Sequence, residues 1–277
     1  VIMLLADTNP TPEQIELKRQ ELGLDKPLVI QFANYMKGFL TGDLGNSYST
    51  GRPVFKEYMA RLPATIKLAF WALIASVIVS IPIGIISAVK QYSFFDNFGM
   101  SFALLGVSIP NFWLGLMLIL LFAVNLGWLP SGGSGGFKYI ILPAITLGSG
   151  QSGLALRMTR SSMLEVIRQD YIRTARAKGL AEKSVIIKHA LKNALIPIIT
   201  VLGSQFGHAL GGAMVVETIF SWPGVGRLMI DAINKYDRPT VIGCVIMLCI
   251  MISIINLFID ILYAFIDPRV RTEYTAN

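Results

Sequence analysis

Along this chain apolar residues gather into five long runs and do not alternate with polar ones. Each run holds about 20 residues or more, enough for a helix to cross a ~30 Å hydrocarbon layer. The runs cover residues 66–89 (span A), 98–126 (span B), 139–156 (span C), 194–216 (span D) and 241–266 (span E). Backbone groups in lipid must find partners inside their own segment, so the runs predict helices. No stretch shows strand-period alternation, which argues against an outer-membrane barrel.

Polar and small residues punctuate the runs. Pro110-Asn111 predicts a kink in span B. Span C is the least apolar, with Gly148, Ser149, Gly150, Gln151, Ser152 and Gly153 in sequence. Span D repeats glycine at 203, 207 and 211, a stripe that permits close helix packing. The expected organisation is an extracytoplasmic segment 1–62, membrane helices A–C within 63–156 and a cytoplasmic loop 157–193. Helices D and E within 194–266 carry an external amphipathic segment 217–239 between them, and a cytoplasmic tail follows at 267–277. Within the first segment, helical periodicity runs through 12–22 and 28–40.

Composition agrees with a polytopic membrane protein: 53% hydrophobic residues, only 15% charged, and a mean hydropathy of +0.60. The net charge of +7 changes the picture through its placement. Nine basic and three acidic residues lie between spans C and D, whereas residues 1–61 hold seven of each sign and 217–238 hold three of each. Basic loops stay in the cytoplasm, so the C–D loop and the C-terminus face inward and the N-terminal region faces outward. An external start leads to the expectation of a further span upstream of Val1, with a genuine external N-terminus as the alternative. The basic residues have no aromatic stacking platform among them, so nucleic acid is not an expected partner. Cys244 and Cys249 point about 140° apart on one helix and read as buried thiols.

The C–D loop carries the most specific pattern. A helical stretch ends near Lys178, Gly179 can take positive φ and break it, and a second helix from Ala181 feeds span D. Small Ala175 and Ala177 precede the break. Such a helix–glycine–helix knuckle lets another protein approach the backbone closely, with basic residues to steer an acidic partner. The same loop also suits rest on anionic lipid.

The motifs DYIRTARAKGL (170–180) and HALKNALIP (189–197) resemble the EAA-type loop of ABC importer permeases, in the form used by the dipeptide/oligopeptide/nickel permease family. The general pattern ends in Ile-x-Leu-Pro about a dozen residues after its glycine. Here the proline comes later, at Pro197, as in the peptide/nickel branch. TPEQ (11–14), LGLDKPL (22–28), GDLG (42–45), RLPAT (61–65), RMTRSSM (157–163), ETIFSWPGVGR (217–227) and DPR (267–269) extend the resemblance over nearly the whole chain.

The resemblance implies an all-α type I importer permease fold, with five membrane helices here and a sixth before them. It assigns ATPase coupling to Ala175, Ala177 and Gly179, flanked by Tyr171, Arg173, Thr174, Arg176, Lys178 and Leu180. It also implies the partners: a second homologous permease subunit, two ABC ATPase subunits that carry ATP and Mg, an extracytoplasmic substrate-binding protein, and surrounding lipid. This chain itself would bind no cofactor.

Uncharged polar residues on spans C and D suit a pathway that must release its cargo, which nominates Gln151, Ser152, Ser204, Gln205 and His208. A helix–helix hydrogen bond is the competing role for His208. Phe220, Trp222 and Arg227 are candidates for the contact with the binding protein, with the two aromatic residues anchoring at the interface. No G-x-x-x-x-G-K-[ST], GxSxG or HExxH occurs, so an enzyme is not expected. The expected cargo is short peptides, with nickel or a metal chelate as the alternative. An ion-gradient transporter would need ionisable groups inside the spans, and these are almost absent.

Overall fold

The computed structural model describes residues 11–21 and 23–266, and among these every regular element is helical apart from one isolated bridge between Asn46 and Pro53. Leu22 and the tail 267–277 with its DPR motif lie outside the described residues. Two short helices, α1 (Pro12–Glu21) and α2 (Leu28–Leu40), precede the bundle. Among the described residues four helices are long and apolar enough to cross a membrane, or five segments if one sharply bent pair counts as a span.

Helix α3 (Val54–Val89) begins twelve residues earlier than span A. Pro53 supplies a pre-set φ of −60° just before the first turn, and Pro63 and Pro82 are carried inside the helix. Thirty-six residues make a rod of about 54 Å. That exceeds the hydrocarbon layer, so the first turns of α3 stand clear of it.

Span B is where the expectation and the structure differ most. Instead of one kinked helix there are two arms at 100°, α4 (Phe94–Ser108) and α5 (Asn111–Leu118), the latter running on as a π-helical stretch Ile119–Asn125. Pro110 has no N–H to donate and pushes Ile109 into extended backbone (φ −78°, ψ 122°), so the helix ends outright.

Span C becomes α6 (Phe137–Ile167), which runs eleven residues past its expected end and into the expected loop. Its low hydropathy now has a cause. It is the most buried of the long helices, 67% of its apolar window against 17–33% for the others. A Cβ at Gly148 would sit 2.5 Å from the Ala72 carbonyl oxygen of α3, and one at Gly153 would sit 2.4 Å from that of Ala103 on α4. Glycine lets α3 and α4 press backbone to backbone against α6, and a helix sheathed by protein needs no lipid-facing Leu or Ile.

The chain then makes a short helix α7 (Asp170–Ala177) and turns at Gly179. A single turn α8 (Glu182–Ser184), a π-helical stretch Val185–Leu191 and α9 (Lys192–Ile219) form one continuous rod. Helices α10 (Val225–Asn234) and α11 (Arg238–Ile266) complete the bundle. The glycine stripe of span D packs on α11 as expected. A Cβ at Gly203 would meet Ile259 at 2.7 Å, and one at Gly207 would meet Asn256 at 2.6 Å.

Candidate functional site

Helix α7 is amphipathic over eight residues. Ile172 and Ala175, three apart, share one face and are buried against Met163, Val185, Ile186 and Ala190. Tyr171, Arg173, Thr174, Arg176, Ala177, Lys178, Gly179 and Leu180 are all exposed. One expectation therefore needs correction: Ala175 is not part of the outward small-residue surface, because the helical period turns it inward beside Ile172. The surface open to a partner comes from Ala177 and Gly179.

The break itself is well defined. Gly179 has φ +77°, its N–H donates to the Arg176 carbonyl at 2.9 Å, and the Leu180 N–H donates to the Ala175 carbonyl at 3.4 Å. These two bonds form a Schellman cap, which satisfies the end of α7 and reverses the chain. A Cβ at Gly179 would meet nothing within 4 Å, so glycine is required here by backbone conformation and not by crowding. The Arg176 guanidinium spans the turn and donates twice to Glu182, at 2.7 and 3.1 Å, stapling α7 to α8. That hydrogen-bonded pairing holds the Arg176 pKa above its ordinary value. The Asn193 side-chain amide donates to the Tyr171 hydroxyl at 2.9 Å, tying α7 to α9 as well.

Where the knuckle end meets the bundle, a buried ion pair appears that the sequence did not suggest. Arg160 of α6 donates to both Asp96 oxygens, at 2.6 and 2.7 Å, and the Tyr92 N–H adds a third bond to that carboxylate. Arg160 had been counted among the loop charges. It belongs to α6, and its charge is spent holding the start of α4.

The polar residues nominated as pathway lining divide into two groups. Ser204 and His208 are exposed along one face of α9, together with Gly211 and Gly212. Gln151, Ser152 and Gln205 are buried, and the Gln205 amide donates across the α6–α9 seam to the Gln151 main-chain carbonyl at 2.7 Å. Ser152 bonds back to the Ser149 carbonyl at 2.7 Å. Gln205 is accounted for by that α6–α9 bond, Ser152 lies beside Gly106 of α4, and the buried Gln151 side-chain oxygen has no hydrogen-bond partner among the described residues.

At the opposite end, Phe220 and Trp222 are not interfacial anchors. They are 1% and 3% exposed, and the Trp222 indole N–H donates to the Ala64 carbonyl at 2.9 Å. An indole whose polar edge is satisfied inside the protein has no reason to lie at the surface. Arg227 is half-buried and donates to the Ser221 carbonyl at 2.7 Å, folding back over its own turn.

Two buried carboxylates organise this end. Glu217 accepts from the Thr65 hydroxyl at 2.6 Å and from the Arg227 N–H at 3.0 Å, so it joins α3 and α9 and caps the N-terminus of α10. A Cβ on Gly224 would lie 2.0 Å from this carboxylate, which explains the glycine in the turn. Asp237 accepts from the Ser47 and Ser49 hydroxyls, the Tyr48 N–H and the Thr240 hydroxyl. Burial raises its pKa, and the hydrogen bonds from Ser47, Tyr48 and Thr240 outweigh that, leaving it below the ordinary carboxylate value. The hydroxyl-rich run Ser47-Tyr48-Ser49-Thr50 was the sequence signal for this knot.

Comparison with known proteins fits this geometry. Residues 80–272 match the family described as "Binding-protein-dependent transport system inner membrane component", and residues 2–69 match the N-terminal component of the same systems. The chain is 46% identical to the dipeptide transport system permease protein DppB of Alkalihalophilus pseudofirmus, over 94% of this chain and 87% of that one. It is 43% identical to the glutathione transport system permease protein GsiC of Salmonella typhimurium, over 97% and 88%. A chain of the inward-facing MetNI methionine ABC transporter superposes with a TM-score of 0.65 at 17% identity, covering 76% of this chain and 96% of that one, a likeness of fold.

Proposed function

The chain belongs to the binding-protein-dependent transport system inner membrane components, and from that premise we propose that it imports short peptides and receives the ATPase stroke through the knuckle at Gly179. Members of this family are non-catalytic, multi-pass inner-membrane permeases of ABC importers that work with ATPase subunits and a binding protein. One observation carries the coupling role. The Schellman turn at Gly179 exposes its backbone at the tip of a basic helix, while Ile172 and Ala175 fasten the same helix to the bundle. A push on the tip is therefore delivered to α6 and α9.

In this reading the knuckle faces the cytoplasm and binds one of two ATPase subunits. ATP binding closes the ATPase pair and switches the pathway between inward- and outward-facing states, a transition between two packed arrangements. The exposed polar face of α9, with Ser204 and His208, lines the pathway against a second permease subunit. The cargo follows from relatives named for dipeptides and for glutathione, itself a tripeptide; both present amide groups and a carboxylate, and neither is a bare metal ion.

The test is ATP hydrolysis by the complete complex in lipid nanodiscs, with binding protein loaded with dipeptides, glutathione or nickel. Stimulation by peptide-loaded protein is expected, and stimulation by nickel alone would overturn the cargo. Gly179→Asp and Ala177→Glu should each lower ATPase co-purification by about tenfold, the consequence of losing roughly 1.4 kcal/mol. Full retention in both variants would remove the knuckle from the coupling path.

A further inference from the structure

The end opposite the knuckle carries a cleft of about 330 Å³ between the first turns of α3 and the helix α10. Four cationic side chains line it: Arg52, Lys56, Arg61 and Lys235. Among the described residues none of the four has a carboxylate within 4.0 Å. Three acids share the cleft: Asp237 is buried in its own knot, Glu57 is half-buried and Asp231 is exposed. Glu57 accepts from the Thr50 hydroxyl at 2.6 Å, and Asp231 faces Arg227 at 3.9 Å. Four cations face three carboxylates of which only Asp231 is exposed, so the accessible charge of the concavity is positive, and such a site lowers its energy when an anionic group enters.

We infer that this cleft is the docking site for carboxylate side chains on the surface of the extracytoplasmic binding protein, an inference that rests on the importer reading above. The occupant is chosen over lipid headgroups by height. Lys56 lies ten residues before the apolar run that begins at residue 66, about 15 Å along the helix. The headgroup layer is only about 5–8 Å deep on each side, so the upper cleft stands above it. A rigid wall adds to the fit. The Asp237 knot fixes the loop at Ser47–Ser49 beside the cleft, so little ordering remains to be done on binding. This site replaces Phe220 and Trp222, which are buried, as the contact surface.

The experiment uses the complete complex in zwitterionic phosphatidylcholine nanodiscs and titrates the purified binding protein of the same transport system. The readout is the ratio of stimulated to unstimulated ATP hydrolysis in each variant, at low and high salt. Lys56→Glu with Lys235→Glu should raise the half-maximal binding-protein concentration about tenfold and flatten its salt dependence. Lys56→Gln with Lys235→Gln should move both in the same direction by less, and it carries the test if the reversed pair does not assemble. Half-maximal concentration and salt dependence equal to the unaltered complex would overturn the assignment. So would a shift that appears only when anionic lipid is added, which gives the cleft to headgroups. An unaltered complex that no binding protein stimulates would sink the importer reading itself, a result separate from any change confined to the variants.

Discussion

On the knuckle itself the charges point outward: Arg173, Arg176, Lys178 and Glu182 are exposed around a single glycine turn, with the Arg160–Asp96 pair lying beneath it in the bundle. At the other end the carboxylates of Glu217 and Asp237 are buried under hydrogen bonds from four separate parts of the chain, the loop at Ser47, α3, α10 and α11. The first end is fastened by a small apolar face and leaves its backbone open. The second is locked, with α3, α9, α10 and α11 joined through two acids. On the proposed reading, in which the knuckle takes the ATPase stroke and the other end receives delivered cargo, this difference has a use. A joint must be graspable, and a docking face must hold its shape.

Substitutions can break or sharpen the contrast. The largest effect is expected from Glu217→Ala. It strands the Thr65 hydroxyl and the Arg227 N–H in a buried site, at a cost of about 3 kcal/mol. Thermal unfolding of the purified chain in detergent should show a clear drop in midpoint, and an unchanged midpoint would mean the end is not locked by this residue. Gly179→Ala should cost about 1 kcal/mol, from backbone conformation alone, because no atom lies within 4 Å of the new Cβ. Arg176→Ala removes an exposed ion pair and should change stability by about 0.5 kcal/mol or less. If Arg176→Ala unfolds the chain more readily than Glu217→Ala, the comparison is the wrong way round.

Acid sharpens the contrast further. The folded pKa of Asp237 lies below its ordinary value of 3.8. Its stabilising contribution is therefore fully present above that ordinary value and is lost as pH falls through the lower folded value. Unfolding midpoints measured from pH 6 downward should fall more steeply for the unaltered chain than for Asp237→Asn. Parallel curves would show that the knot at Ser47–Ser49 does not depend on the charge.

Much of the exposed end could be read from the sequence, and little of the locked end could. Nine basic residues against three acidic ones in 157–193 are visible as a count, and Gly179 after a helical period marks its own break. Burial is invisible to such counting. Residues 217–238 hold three acids and three bases and look neutral, yet Glu217 and Asp237 are both inside, so cations dominate the accessible surface there. Phe220 and Trp222 misled for the same reason, since an aromatic after a span is equally suited to an interface or to a core, and only the Ala64 carbonyl decides. Span C was legible as a helix but not as the centre of the bundle. Its glycines state that something approaches closely without naming α3 and α4. The 100° bend in span B was foreshadowed by Pro110, whose position fixes a break but not its angle.

The central claim concerns who grips the knuckle. Cysteine placed at Lys178, in a Cys249→Ala background with Cys244 left buried, can be labelled with a membrane-impermeant maleimide in sealed vesicles of either orientation. The account predicts labelling only where the cytoplasmic face is outward, and protection once the ATPase subunits are bound. Labelling from the extracytoplasmic face, or equal labelling with and without the ATPases, would contradict it.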